Sequence, residues 1–137
     1  MEAVKAANVA AEAALSRKAA DVAVLDLRGI ASFTDYFVIC SGTSDTHAEG
    51  VAEAVQEKMK AAGCRLMRRE GRRKSDWTLL DYVDVIVHIF VGEVREQYGL
   101  ERLWADAPSE RLTGEGIEID AEWDDAEEAA AFTARDF

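Results

Sequence analysis

The stretch "SDWTLLDYVDVIVHIFVGEVREQY", residues 75–98, decides how this chain folds. It reads as two apolar strands and a helix, yet Asp81, Asp84 and His88 stand among the hydrophobes. Ionisable groups in a core-like segment suit a catalytic centre, a metal site, or the polar part of a partner-binding sheet. The short Val83-Asp84 connection suits a tight hairpin between the strands, with a bend in one long strand as the alternative. Side chains alternate along a strand, so Trp77, Leu79 and Asp81 share one face while Thr78, Leu80 and Tyr82 share the other. An apolar anchor beside a carboxylate is the pattern of a docking surface. Beyond the strands, "GEVREQY" is helical and "LERLW" supplies apolar anchors at Leu100, Leu103 and Trp104.

Working outward, residues 3–19 are Ala-rich and free of Gly and Pro, which predicts a helix. "VAVLDL" (22–27) and "YFVICSG" (36–42) are strands, the second apolar enough to be covered on both faces. Ser44 is placed as an N-cap, with Ala48, Val51, Ala52, Val55 and Met59 at helical spacing behind it and Gly63 ending the helix. "CRLMRRE" (64–70) predicts another strand. The order α-β-β-α-β-β-β-α defines an α/β fold, a mixed five-stranded sheet flanked by helices.

The 137 residues suit one domain with a real core. Of the net charge of −11, residues 108–137 hold −8, with ten acids against two bases. The boundary is therefore drawn at Pro108, with a domain over 1–107 and an acidic tail over 108–137. In that tail "GIEID" pairs with a sheet edge at most, and "AEWDDAEEAAAF" forms a helix on the domain at most. A basic cluster, Arg65, Arg68, Arg69, Arg72, Arg73 and Lys74, reads either as a solvated loop or as an edge touching phosphate. The Ala-rich N-terminus lacks the regions of a signal peptide, and no apolar run approaches the roughly 18 residues of a membrane span. Cys40 and Cys64 form no CxxC. A reducing cytoplasm fits these features best.

The chemistry can then be weighed. "SGTS" (41–44), where a strand runs into a helix, is a plausible anion site and is similar to the Gly-Ser turn of nucleotidyltransferases. Those enzymes hold divalent metal with two carboxylates one residue apart on the next strand, and "CRLMRRE" offers no such pair. No metal-ligand spacing joins His47, His88, Cys40 and Cys64, and His88 has no nucleophile-elbow serine beside it. For His88 the plainer reading is a half-buried, hydrogen-bonded strand residue, and for Trp77 it is core packing.

"VLDLRGIASFTDYFVICSGTSDTHAEGVAEAV" (24–55), then "EG" (70–71), then "DWTLLDYVDVIVHIFVGEVREQYGLERLWADA" (76–107) resemble the Iojap family, the ribosomal silencing factors. The resemblance covers residues 5 to 107 and rests on several motifs in fixed order. It implies a nucleotidyltransferase-like fold without catalytic carboxylates, and no enzyme activity, cofactor or metal. It implies binding to the large ribosomal subunit through its L-fourteen protein, obstruction of small-subunit joining, and a homodimer off the ribosome. By that resemblance the partner surface lies around Trp77, Leu79, Asp81, Tyr82, His88 and the helix carrying Glu93, Arg95 and Tyr98. Peripheral contact with ribosomal RNA would fall to the Arg65–Lys74 cluster. One position departs from the family's Asp-Tyr-Gly-Asp: Val83 stands where Gly is usual. Val is poor at positive φ, so a differently shaped turn is expected there.

Overall fold

The computed structural model describes residues 2–71, 75–113 and 116–119. In chain order the elements are α1 (Ala3–Ser16), β1 (Ala20–Asp26), β2 (Tyr36–Gly42), α2 (Asp45–Ala61), β3 (Arg68–Glu70), β4 (Trp77–Asp81), β5 (Val85–Val91), α3 (Val94–Tyr98), α4 (Leu100–Leu103), β6 (Ser109–Thr113) and β7 (Gly116–Ile119). The strands make one sheet in the order β3-β4-β5-β2-β1-β6-β7. Among the described residues only β2 and β5 run parallel, and every other neighbouring pair is antiparallel. The sheet is mixed and helix-flanked as expected, but the described residues give it seven strands rather than five.

The extra strands come from the segment set aside as tail. β6 pairs with β1 from Val22↔Leu112 to Leu25↔Ser109, and the Asp26 amide donates to the Pro108 carbonyl at 2.8 Å. Leu112 is buried in the same cluster as Val22 and Val24. The expected boundary at 107/108 therefore cuts into the sheet. Charge misled the reading, because a strand's backbone pairs whatever its formal charge. β7 in turn pairs with β6 at the sheet edge. The helix expected over residues 121–132 lies outside the described residues.

One face of the sheet is covered by α1 and α2. Ala6, Ala7, Ala10, Ala11, Ala13 and Ala14 of α1 are buried, and their small side chains let the helix sit close to both α2 and the sheet. Every predicted α2 position, Ala48, Val51, Ala52, Val55 and Met59, is buried against it. Full burial of a Val or Met contributes about 1.5–3 kcal/mol, so this layer accounts for much of the stability. Ser44 caps α2, its Oγ accepting from the His47 amide at 3.1 Å.

The β4–β5 hairpin is as tight as expected, but its turn is not the altered one. Val83 itself takes φ 75, while the Asp84 amide donates to the Tyr82 carbonyl at 3.0 Å and the Val83 amide to Asp81 Oδ1 at 2.8 Å. That is a γ-turn of the rare, positive-φ hand, adopted by a β-branched residue. Leu100 and Trp104 pack as anchors, whereas Leu103 is 72% exposed and anchors nothing.

Candidate functional site: an aromatic sheet face

The sheet face away from α1 and α2 is built by register. Leu79 lies opposite His88, which lies beside Ile39; Trp77 lies opposite Phe90; Asp81 lies opposite Ile86, which lies beside Phe37. Since all of these share one parity, their side chains emerge together. The rings form a connected series. Trp77 meets Tyr98 at 4.5 Å between centroids and Phe90 at 5.2 Å; Phe37 stands edge-on to His88 at 4.5 Å and to Trp104 at 6.0 Å, with Phe33 closing on both Phe37 and Trp104. Tilted and edge-to-face pairs of this kind add about 0.5–1.5 kcal/mol each beyond burial. At the outer side of the series, Phe33 and Tyr98 are each 53% exposed and Ile30 is exposed as well.

His88 lies under this surface rather than on it, only 3% exposed. Its Nδ1 accepts from the Trp77 indole N–H at 3.1 Å, which fixes the tilt of the indole. Burial pushes the imidazole pKa down to about 3, so the ring stays neutral at physiological pH and cannot act as a charged acid. It is a packing partner and an acceptor. The expectation of a half-buried strand residue understated its depth.

The α3–α4 corner closes one end of the face. Gly99 takes φ 63 between the two short helices. Arg95 is buried and spends its guanidinium inward, Nε donating to Glu101 Oε1 at 2.7 Å and Nη1 to the Asp21 carbonyl at 2.6 Å. Arg111 donates to the other Glu101 oxygen at 2.9 Å. Burial alone would raise the Glu101 pKa, but hydrogen bonds and charge from Arg95 and Arg111 hold it below the usual carboxylate range. This network ties the corner that carries Tyr98 and Trp104 to β1 and β6.

The sequence-predicted contact residues therefore divide. Trp77 and Leu79 are half-buried on the face, and Tyr98 is exposed beside Trp77. Asp81 is half-buried at the hairpin, and Glu93 is exposed just before α3. Three are not on the open surface. His88 lies beneath it, Tyr82 points to the α2 side and is buried there, and Arg95 is consumed by Glu101 and the Asp21 carbonyl. The reading missed Phe33, Phe37 and Trp104 as members of the face. Alternation within "YFVICSG" would have found Phe37, since it separates Phe37, Ile39 and Ser41 from Tyr36, Val38 and Cys40.

The other candidates give less. In the basic cluster Arg69 is held by both oxygens of Glu49 at 2.9 Å and Arg68 pairs with Glu70 at 3.4 Å, while Arg72, Arg73 and Lys74 lie outside the described residues. At "SGTS" the Thr43 amide donates to His47 Nδ1 at 2.9 Å, and His47 Nε2 reaches the Arg17 carbonyl at 2.7 Å. An amide that would face a phosphate is thus already bonded. Cys40 is fully buried and its thiol pushed up to about 12 by desolvation, so it is an inert core residue. Among the described residues no group of three or more His, Cys, Asp or Glu could hold a metal ion. No described helix is long and apolar enough to cross a membrane.

The described residues thus form a mixed α/β domain that presents an aromatic sheet face. A family model described as "Ribosomal silencing factor during starvation" matches residues 1–136, and the chain belongs to that family. It is 38% identical over 101 residues to the ribosomal silencing factor of Bacillus subtilis, covering 74% of this chain and 86% of that protein. It is 33% identical over 100 residues to the chloroplastic protein Iojap of Zea mays, covering 71% of this chain and 42% of that one. A crystal structure from Chromobacterium violaceum, 32% identical, covers 77% of this chain and 88% of its own with a TM-score of 0.74. The Bacillus relative carries the name of a regulatory factor, not of an enzyme.

Proposed function

We propose that this protein is a cytoplasmic translational repressor that binds the large ribosomal subunit through its L-fourteen protein and keeps the small subunit from joining. The observation that carries this reading is the aromatic face, with Trp77, Leu79, Phe33 and Tyr98 accessible on a rigid sheet in a member of the silencing-factor family. Large aromatic anchors on a rigid support are what dominate protein–protein affinity. Beside Trp77 lies a recess of about 430 Å³ lined in part by Glu70, Asp76 and Tyr98. Asp76 there, in a chain of net charge −11, suits a basic partner and repels bare phosphate. The mechanism is steric and requires no turnover, cofactor or metal. A nucleotidyltransferase-like architecture fits this role as scaffold without chemistry. The same exposed rings would mediate a homodimer off the ribosome. Contact with ribosomal RNA through the basic cluster is secondary, because Arg68 and Arg69 already have carboxylate partners.

Sucrose gradients test the reading. The purified protein should sediment with isolated large subunits and lower the yield of whole ribosomes when small subunits are added. Failure of large subunits to retain it, or unimpaired joining at saturation, would refute it.

A further inference from the structure

On the opposite side of the sheet from the aromatic face, a cavity of about 460 Å³ opens between the end of α2 and the chain leading to β3. It is lined by Gln56, Lys60, Gly63, Cys64, Arg65, Leu66 and Tyr82. This volume falls within the range of small-molecule sites, about 300–1,000 Å³. Two features suit it to an anionic ligand. First, the lining carries two cations and no carboxylate, although the chain has 27 acids against 16 bases. Among the described residues neither Lys60 nor Arg65 is ion-paired. Second, the α2 carbonyls that would repel an anion are already bonded. The Lys58, Met59 and Lys60 carbonyls accept from the Ala62, Cys64 and Gly63 amides at 3.0, 2.8 and 3.0 Å. The Tyr82 ring, 9% exposed, completes the apolar part of the lining beside Leu66. Burial pushes its phenol up to about 12, with the neighbouring Cys64 adding to the shift, so the ring brings no negative charge to the cavity.

We infer that this cavity binds a small organic anion, with its apolar body against Leu66 and the Tyr82 ring and its anionic head toward Lys60 and Arg65. The site is independent of the docking face, since Tyr82 and Trp77 leave β4 and its hairpin on opposite sides of the sheet.

The test uses the full chain and the fluorescent sulfonate 1-anilinonaphthalene-8-sulfonate, with iodoacetamide labelling of Cys64 as a positional readout. Cys64 is half-buried at the cavity while Cys40 is fully buried, so labelling reports on one thiol. The dye should bind the folded protein, slow Cys64 labelling several-fold, and be displaced by octanoate but not by inorganic phosphate. Lys60→Ala with Arg65→Ala, and separately Leu66→Trp to fill the cavity, should abolish both effects without lowering the melting temperature. Trp77→Ala should leave dye binding unchanged. Unprotected Cys64 at saturating dye would overturn the inference. So would displacement by phosphate alone, or loss of binding in Trp77→Ala but not in the cavity variants.

Discussion

The turn at Val83 stores strain that one substitution should release. Val83 sits at φ 75, a region that costs an ordinary L-residue about 1–2 kcal/mol and a β-branched one at least that much. Glycine adopts it freely but loses about 0.5–1 kcal/mol through its greater freedom in the unfolded chain. Val83 is 51% exposed, so removing its side chain sacrifices little burial. The Asp81 Oδ1 and Tyr82 carbonyl bonds that hold the turn involve backbone amides, and glycine keeps them. Val83→Gly should therefore stabilise the protein by roughly 0.5–1.5 kcal/mol. For a chain of 137 residues each kcal/mol moves the melting temperature by about 3–4 °C, giving a rise of roughly 2–5 °C. Val83→Ala, which keeps the unfavourable φ, serves as the control and should gain less. Thermal and urea melts of the three proteins decide the matter. A glycine variant no more stable than the parent would show that the turn holds no such strain.

The remaining predictions concern the face, two buried ionisable groups and the sheet edge. Trp77→Ala should weaken large-subunit binding by about 2 kcal/mol or more, and because the indole also packs on Tyr98 and Phe90 it should lower stability too; Trp77→Phe should retain most of the stability, and equal binding by all three proteins would remove Trp77 from the interface. His88 has its pKa depressed from 6.5 to about 3, so the unfolded chain takes up the proton first and stability should fall as pH drops through that window, by at most ~1.4 kcal/mol per unit; His88→Leu should flatten the acid limb of melting temperature against pH, and an unchanged limb would contradict the burial. Glu110 is raised from 4.5 to about 8 by burial, with no hydrogen-bond partner among the described residues, so its unfolded form ionises first and stability should fall as pH rises from 4.5 to about 8; Glu110→Gln should remove that fall, as melts at pH 5 and 8 would reveal. Truncation after Ala107 removes the β1–β6 ladder and buried Leu112, and should lower the melting temperature sharply; a truncated chain as stable as the parent would mean that β6 is dispensable.

Local periodicity made much of this molecule legible from its residues. The period-2 pattern of "DWTLLDY" predicted which side chains of β4 would be shielded, and Thr78 and Leu80 are buried while Trp77 and Leu79 are half-buried. The 3.6-residue spacing behind Ser44 predicted the buried stripe of α2, and the cap hydrogen bond is where the serine implied. These signals are set by the backbone geometry of a few consecutive residues. What the sequence left open depends on which strand lies beside which. His88 is deep because β2 and β4 flank its strand, and Phe37 closes over it from β2. Arg95, which the resemblance placed on the partner surface, is buried because the Asp21 carbonyl and Glu101 converge on it from 74 and 6 residues away. Ser109–Thr113, short and set at the head of an acidic stretch, became sheet because β1 offered it an unpaired edge. Periodicity specifies each element's two faces, but only the strand order assigns a neighbour to each face, and that order arises from contacts far apart in sequence.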